Sequence, residues 1–207
     1  FFLAKATGQS ELAAPTLALL KKLEQHVETV RKEGAVRVWL MPLALVWPAP
    51  PAVEGDASRL PRAWTGAGRT PLALLREYGD DGQVAFAGIK GGWPSVSHAH
   101  MDIGSFVIDL DGVRWAMDLG AEEYARIEAA MPGLWDMHQE SPRWQLLRYH
   151  NLQHNTLTID GQLQRVDGRA NTIRVGDAKW PFATIDLSPV YRGQAKRVDR
   201  GIRLPDA

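Results

Sequence analysis

Residues 91–120 read GGWPSVSHAHMDIGSFVIDLDGVRWAMDLG, and this stretch decides how the second half of the chain is predicted to fold. Its last part holds two short apolar runs, one on each side of Asp111 and Gly112. Alternating apolar residues around an Asp-Gly pair are typical of a β-hairpin, because both residues of the pair tolerate the positive φ of a tight turn. We therefore predict a hairpin over residues 106–117.

Three polar residues, His98, His100 and Asp102, precede the predicted hairpin. If the strand runs straight through them, their side chains project from the same face, because residues two apart in a strand share a face. Two imidazoles and a carboxylate are costly to bury without partners. This stretch is therefore the first candidate for a functional site.

The residues after the hairpin continue the pattern of short segments and turns. Short helices are predicted at 122–131 and after Ser141, whose side chain can cap the first turn. Many short strands separated by regular turn signals indicate an antiparallel β-sandwich. The strands predicted outside the hairpin are 84–90, 154–160, 171–175, 182–187 and 191–198.

The first part of the chain has helical patterns. Apolar residues spaced by three or four predict a helix over residues 10–32. A second apolar stretch, at 35–47, is predicted as a short helix or two helical pieces, since Pro42 interrupts it. A proline at the first helical position predicts a further helix over residues 70–78.

The domain organisation follows from these patterns. Residues 48–68 hold several Pro and Gly residues and little periodicity, which predicts a linker or a long surface connection. We predict an α+β chain, with a helical segment and linker at 1–82 and a β-sandwich at 83–207.

The composition narrows the classes of function. The 24 Lys and Arg residues balance the 24 Asp and Glu residues, so the net charge gives no basis for a nucleic-acid partner. No apolar run is long enough to span a bilayer, and we expect no membrane partner. The chain has no cysteine, so a bound metal must be held by His, Asp or Glu.

His100, Asp118 and His154 are the strongest candidates for a metal site. Imidazole and carboxylate ligands suit a tetrahedral zinc ion, and calcium and manganese remain open alternatives. His150 competes with His154, which we favour because it begins a strand-like run. Ligands from different strands of one sheet would make the site rigid.

The same stretch allows two other interpretations. In the first, His98 faces a substrate as a general acid or base, because an imidazole titrates near neutral pH. In the second, these residues are polar groups at strand ends that only form hydrogen bonds. The combination of His-x-His, a following Asp and a distant His-Asn pair favours a functional role.

Other side chains near these motifs could contact an acidic sugar. Solvated surface is the usual role of an isolated basic residue, and core packing is the usual role of a Trp. Asp102 could accept a hydrogen bond from a ligating His. The candidates are Lys90, Arg143 and Arg148 for charge neutralisation, Tyr124 for proton transfer, and Trp93, Trp135 and Trp144 for stacking on sugar rings.

One rival motif overlaps these residues. Gly92, followed after five residues by His98-x-His100, matches the opening of the cupin metal motif. Cupins carry a Glu a few residues later, whereas the window at 103–105 holds no carboxylate. A cupin-like metal-dependent enzyme is therefore the weaker alternative.

Several motifs in a linked order resemble the heparinase II/III-like family, which includes polysaccharide lyases that act on heparin and alginate. The similarity covers roughly residues 85–161, and the order of the motifs makes it fairly specific. The motifs that carry it are HAHMDIGSF at 98–106, DG at 111–112, DLG at 118–120 with Tyr124, and HNTL at 154–157.

The resemblance implies a fold and an activity. Members of the family join an α/α toroid to an antiparallel β-sandwich, so residues 1–47 would be the last helices of the toroid. The implied reaction is β-elimination on an acidic, uronic-acid-containing polysaccharide, in the periplasm or outside the cell. A non-catalytic glycan-binding β-sandwich is the alternative.

The resemblance also assigns roles to individual residues. The family's sandwich supplies a His near the cleft, which corresponds to His98. In some members it supplies metal ligands, which correspond to His100, Asp118 and His154. The toroid supplies a Tyr and further polar residues that would precede residue 1. We therefore expect this chain to be inactive alone, or to belong to a longer protein.

Overall fold

The computed structural model describes residues 6–9, 13, 17, 60–80, 82–176 and 179–204. The helices predicted at 10–32 and 35–47 lie outside the described residues, apart from positions 13 and 17. The chain divides into two compact units, Phe1–Pro61 and Arg62–Ala207, a division that falls before the predicted one at residue 82.

The described part of Arg62–Ala207 consists mainly of two antiparallel sheets, with one α-helix and several 3₁₀ turns. None of the described helices is long and apolar enough to cross a bilayer. In chain order the elements are β1 (Ala63–Gly66), β2 (Leu72–Gly79), β3 (Gly82–Lys90), β4 (Phe106–Leu110), β5 (Val113–Ala116), α1 (Tyr124–Ala130), 3₁₀ turns at Pro142–Gln145 and Asn151–Gln153, β6 (Ile173–Gly176), β7 (Phe182–Asp186), a 3₁₀ turn at Ser188–Tyr191, and β8 (Asp199–Arg203).

The first sheet has the strand order β1-β2-β3-β4-β5, and neighbouring strands are antiparallel. The predicted hairpin is confirmed as β4 and β5. Its turn residues Asp111 and Gly112 have φ angles of 48° and 75°, the left-handed values that a two-residue hairpin turn requires.

The helix predicted over 70–78 is wrong, because Leu72–Gly79 form strand β2. Its Leu, Ala, Arg and Glu residues favour a helix in isolation. The strand instead pairs with β1 on one side and β3 on the other, and its buried side chains, Ala73, Leu75 and Glu77, alternate with less buried ones. Strand β1 likewise lies in the segment predicted as a linker.

The second sheet has the order β6-β7-β8. The strands predicted at 171–175 and 182–187 are confirmed as β6 and β7. The strand predicted at 191–198 is wrong, since this segment turns after a 3₁₀ turn and the strand begins only at Asp199.

The strand predicted at 154–160 is also wrong. The segment is irregular, and side chains from elsewhere hold its backbone. The Asn151 side chain donates hydrogen bonds to the carbonyl oxygens of Leu157 and Gln162, at 3.3 and 3.1 Å. Asp160 does lie in a turn, with a φ of 48°.

The described residues of this unit form two hydrophobic cores. The first, here called the sheet core, is shared by both sheets and includes Leu75, Ile89 and Ile185. The second, here called the loop core, is built by the segments between β5 and β6 and by the loop after β3. Its buried members are Met101, Leu134, Trp144, Tyr149 and Val166.

Candidate functional site

The segment that holds His98, His100 and Asp102 is a loop of successive turns, so the condition of a straight strand is not met here. The Ala99 N–H donates to the Val96 carbonyl at 2.9 Å, and His98 has a φ of 63°. The left-handed region is sparsely populated by residues other than glycine. Because the backbone turns at His98, the two histidines do not share a face. His98 is exposed, whereas His100 is only 7% exposed.

The side chain of Arg143 holds this loop in place through hydrogen bonds to its backbone. Its side chain is fully buried, and its guanidinium donates hydrogen bonds to the carbonyl oxygens of Ala99, at 2.8 Å, and Leu134, at 2.9 Å. It also lies over the Tyr149 ring, 4.3 Å from the ring centroid. A buried cation is costly unless polar groups surround it. Through its hydrogen bonds to Ala99 and Leu134, Arg143 joins the loop of the two histidines to the segment that carries Trp135.

His98, Tyr124 and Trp135 form a cluster of rings, here called the aromatic cluster. The His98 ring meets the Tyr124 and Trp135 rings edge-on, with centroid distances of 5.4 and 5.0 Å. Trp135 is 42% exposed, and its indole N–H donates to Glu128 at 2.9 Å. An exposed imidazole held between aromatic rings can transfer a proton to a bound molecule, and an exposed Trp face suits a sugar ring.

His100 is buried in the same loop that carries the exposed His98. Its ring contacts those of Tyr149 and His154, with centroid distances of 4.4 and 5.3 Å. Burial lowers the pKa of His100 to about 4, so this imidazole is neutral at pH 7. Burial also raises the pKa of Tyr149 to about 12, which keeps its hydroxyl protonated.

Asp118 and His154 are in direct contact, 2.7 Å apart between Oδ2 and Nδ1. The Asp118 carboxylate also accepts hydrogen bonds from the Ser105 hydroxyl, at 3.2 Å, and the Gly120 N–H, at 2.9 Å. Burial alone would raise the pKa of Asp118, but the hydrogen bonds from His154 and Gly120 outweigh it and lower this pKa to about 2. Asp118 is therefore ionised and fixes the orientation of the His154 ring.

The donor types suit a metal ion, but their arrangement gives a mixed result. The Nε2 atom of His154 is buried and has no hydrogen-bond partner among the described residues, as a ligand atom would. On the other hand, no three His, Asp or Glu side chains in the described ranges are arranged so that they could hold a metal ion. Zinc at His100, Asp118 and His154 thus remains a prediction.

The basic residues suggested by the sequence are all engaged within the protein. Lys90 lies 2.5 Å from both carboxylate oxygens of Asp102, which therefore binds a lysine rather than a histidine. Arg148 pairs with Glu122 at 3.2 Å. Since Arg143 is buried, these three groups have little left to offer an acidic ligand.

The tryptophans differ in what they present. Trp144 is buried in the loop core, with 3% exposure. Trp93 is half-buried, and its indole N–H donates to the Val166 carbonyl at 2.8 Å. Trp135 has the exposed ring that stacking on a sugar requires.

Sequence reasoning missed two arginines that line a cavity together with Trp93. Arg69 and Arg169 are both exposed and line one cavity with Trp93. They are 100 residues apart in the sequence and belong to no motif, so no local pattern could have paired them.

A family model described as heparinase II/III-like, C-terminal, matches residues 73–186. The match covers 114 of the 207 residues and includes His98, His100, Asp118 and His154. A search of curated proteins finds no match to the chain.

Proposed function

Because the chain belongs to the heparinase II/III-like family, we propose that it is part of a polysaccharide lyase that cleaves uronic-acid-containing glycans by β-elimination. The observation that carries this proposal is the exposed His98 ring, held edge-on against Tyr124 and Trp135. The family relation supports the lyase class, and the aromatic cluster supports a sugar-binding surface around a proton-transfer group.

The reaction has three chemical requirements. The uronate carboxylate must be neutralised so that the adjacent C–H becomes acidic. A base must then remove this proton, and an acid must protonate the oxygen of the leaving sugar. His98 is the group in this chain that we assign to proton transfer. The remaining groups would come from an α/α toroid that precedes the sandwich.

The proposal includes an architecture. The two antiparallel sheets share the sheet core, which supports a β-sandwich, and residues 1–47 would be the last helices of the toroid. The substrate would be an acidic polysaccharide outside the cytoplasm, in the periplasm or the surroundings of the cell.

We also propose a bound zinc ion that His100, Asp118 and His154 would hold. It would supply a positive charge behind the cleft, while His98 would remain free to face the substrate. Elemental analysis of the purified chain and of His100→Ala tests this part. About one zinc per chain, lost in the variant, would support it. No metal in a folded sample would contradict it, and redox-active iron would favour the cupin-like alternative.

Lyase activity is tested with a longer protein that includes this chain and the toroid. Incubation with heparosan and with alginate should give unsaturated uronate products, which are followed by ultraviolet absorbance. Retained binding of these glycans without any unsaturated product would overturn the lyase proposal. That result would instead favour a glycan-binding sandwich without catalysis.

A further inference from the structure

A cavity of about 550 Å³ lies beside the loop that carries His98. We call it the arginine pocket. Ser97, the neighbour of His98 in the chain, is one of its lining residues, so the cavity and the aromatic cluster border the same loop. Its lining is Gly68, Arg69, Trp93, Ser95, Val96, Ser97, Arg169 and Asn171.

The charge of the arginine pocket is unbalanced. Arg69 and Arg169 supply two guanidinium groups, and no Asp or Glu occurs among the described residues that line it. Exposed arginines elsewhere in the described part of the chain often face a carboxylate, as Arg114 faces Asp109. Neither arginine has a carboxylate partner among the residues that the structure describes, so their donors are available to an anion.

A second basic cavity, of about 680 Å³, differs in this respect. Its lining holds three basic residues, Arg174, Lys196 and Arg197, but also the carboxylates of Asp186 and Asp199. Arg197 forms an ion pair with Asp199, so part of this positive charge is already neutralised. The contrast singles out the arginine pocket as the better receptor for a negative group.

The walls of the arginine pocket are fixed. Gly92 and Ala170 exchange two backbone hydrogen bonds, both of 2.9 Å. The Trp93 indole and the Ser95 hydroxyl both donate to the Val166 carbonyl at 2.8 Å. These bonds join the two chain segments that carry Trp93 and Arg169, and preorganised walls lower the entropic cost of binding.

Trp93 helps to place one of the arginines. The Arg169 guanidinium lies over the Trp93 ring, 3.7 Å from its centroid, and a cation held in this way is oriented and partly desolvated. The hydroxyl group of Ser97 and the amide group of Asn171 add hydrogen-bonding capacity that suits a sugar.

We propose that the arginine pocket binds the acidic group, a carboxylate or a sulfate, of a glycan residue next to the one at His98. This inference rests on the proposed function and adds a specificity determinant to it. Arg69 and Arg169 provide the charge recognition that Lys90, Arg143 and Arg148 are too engaged to provide.

The test compares the full chain with Arg69→Gln, Arg169→Gln and the double variant by titration calorimetry. The control is Arg192→Gln, which also removes one exposed positive charge but from an ion pair with Asp167. The probes are a heparosan tetrasaccharide, which has only carboxylates, a heparin tetrasaccharide, which also has sulfates, and neutral chitotetraose. Thermal melting confirms that each variant is folded.

Each pocket substitution should weaken binding of an acidic tetrasaccharide by about fivefold, and the double variant should weaken it more than either single variant. The Arg192→Gln control should change it by less than about twofold. A loss for both acidic probes identifies a carboxylate site, and a loss for heparin alone identifies a sulfate site. Unchanged affinity in the double variant, equal loss for chitotetraose, or no binding of either acidic probe to the unmodified chain would overturn the proposal.

The lyase assay on the longer protein separates this inference from the proposed function. Weaker binding in the arginine variants, but no unsaturated product from any form, would overturn the lyase and leave the arginine pocket supported. Product formation with an unchanged KM in the double variant would support the lyase and overturn the arginine pocket.

Discussion

The sheet core and the loop core are built in different ways. Leu75 and Ile185 reach the sheet core from regular strands, in which alternate residues point inward. Met101 and Tyr149 reach the loop core from segments without strands, around the buried Arg143. His98 and His100 border the loop core. The strands thus supply a frame, whereas long-range contacts between loops position the side chains that could react with or bind a ligand.

Loss of Arg143 from the loop core should lower the stability of the protein the most. Arg143→Met removes the donors to two buried carbonyl oxygens, at Ala99 and Leu134. We expect the free energy of unfolding to fall by about 2–6 kcal/mol, as urea denaturation would measure. Arg192→Met, which removes an exposed arginine, is the control and should cost less than about 1 kcal/mol. Equal effects of the two changes would mean that Arg143 does not hold the loop core together.

A similar loss is expected when a cavity is made in the sheet core. Leu75 is 1% exposed, and Leu75→Ala should lower the free energy of unfolding by about 2–5 kcal/mol. The control Leu147→Ala, at a residue that is 55% exposed, should change it by less than about 0.5 kcal/mol. A small effect of Leu75→Ala in urea denaturation would contradict the shared packing of the two sheets.

A smaller effect on binding separates the exposed tryptophans of the two regions. Trp135→Ala should weaken the affinity for a heparosan tetrasaccharide by about threefold to tenfold, because it removes a ring of the aromatic cluster. Trp115 is 72% exposed on β5 and lies outside this cluster. Titration calorimetry on Trp115→Ala should show unchanged affinity, and an equal loss in both variants would count against the aromatic cluster.

The smallest expected effect concerns a surface ion pair on the first sheet. The hydrogen bond from Arg114 lowers the pKa of Asp109 below its ordinary value of 3.8. The pair therefore stabilises the fold above the pKa of the unfolded chain, and this contribution disappears as the pH falls through the lower, folded value. Asp109→Asn should cost about 0.5 kcal/mol at pH 7, and urea denaturation should show the difference shrinking towards pH 3.

The frame could be predicted from the sequence better than the site. Strand β3, the hairpin of β4 and β5, and strands β6 and β7 follow local alternation and turn residues. Strand β2 could not be predicted in this way, because its residues favour a helix and only pairing with two neighbouring strands overrides that preference.

The site depends on contacts that local patterns do not contain. Arg143 donates a hydrogen bond to the Ala99 carbonyl, 44 residues away in the sequence. Ala99 belongs to the loop in which His98 adopts a left-handed conformation. The residue types of the His-x-His motif could be recognised, but not that one ring would be exposed and the other buried. Arg69 and Arg169 likewise line the same cavity only in the folded chain.

We assign to His98 the transfer of a proton in a β-elimination. The most direct test is the initial rate of unsaturated-product formation by a longer protein that includes this chain, measured for His98→Ala and for His138→Ala. His138 is an exposed histidine that contacts Asp136 and lies outside the aromatic cluster. We predict a loss of at least about 100-fold for His98→Ala, with unchanged thermal stability, and a normal rate for His138→Ala. A normal rate for His98→Ala would exclude this role for His98.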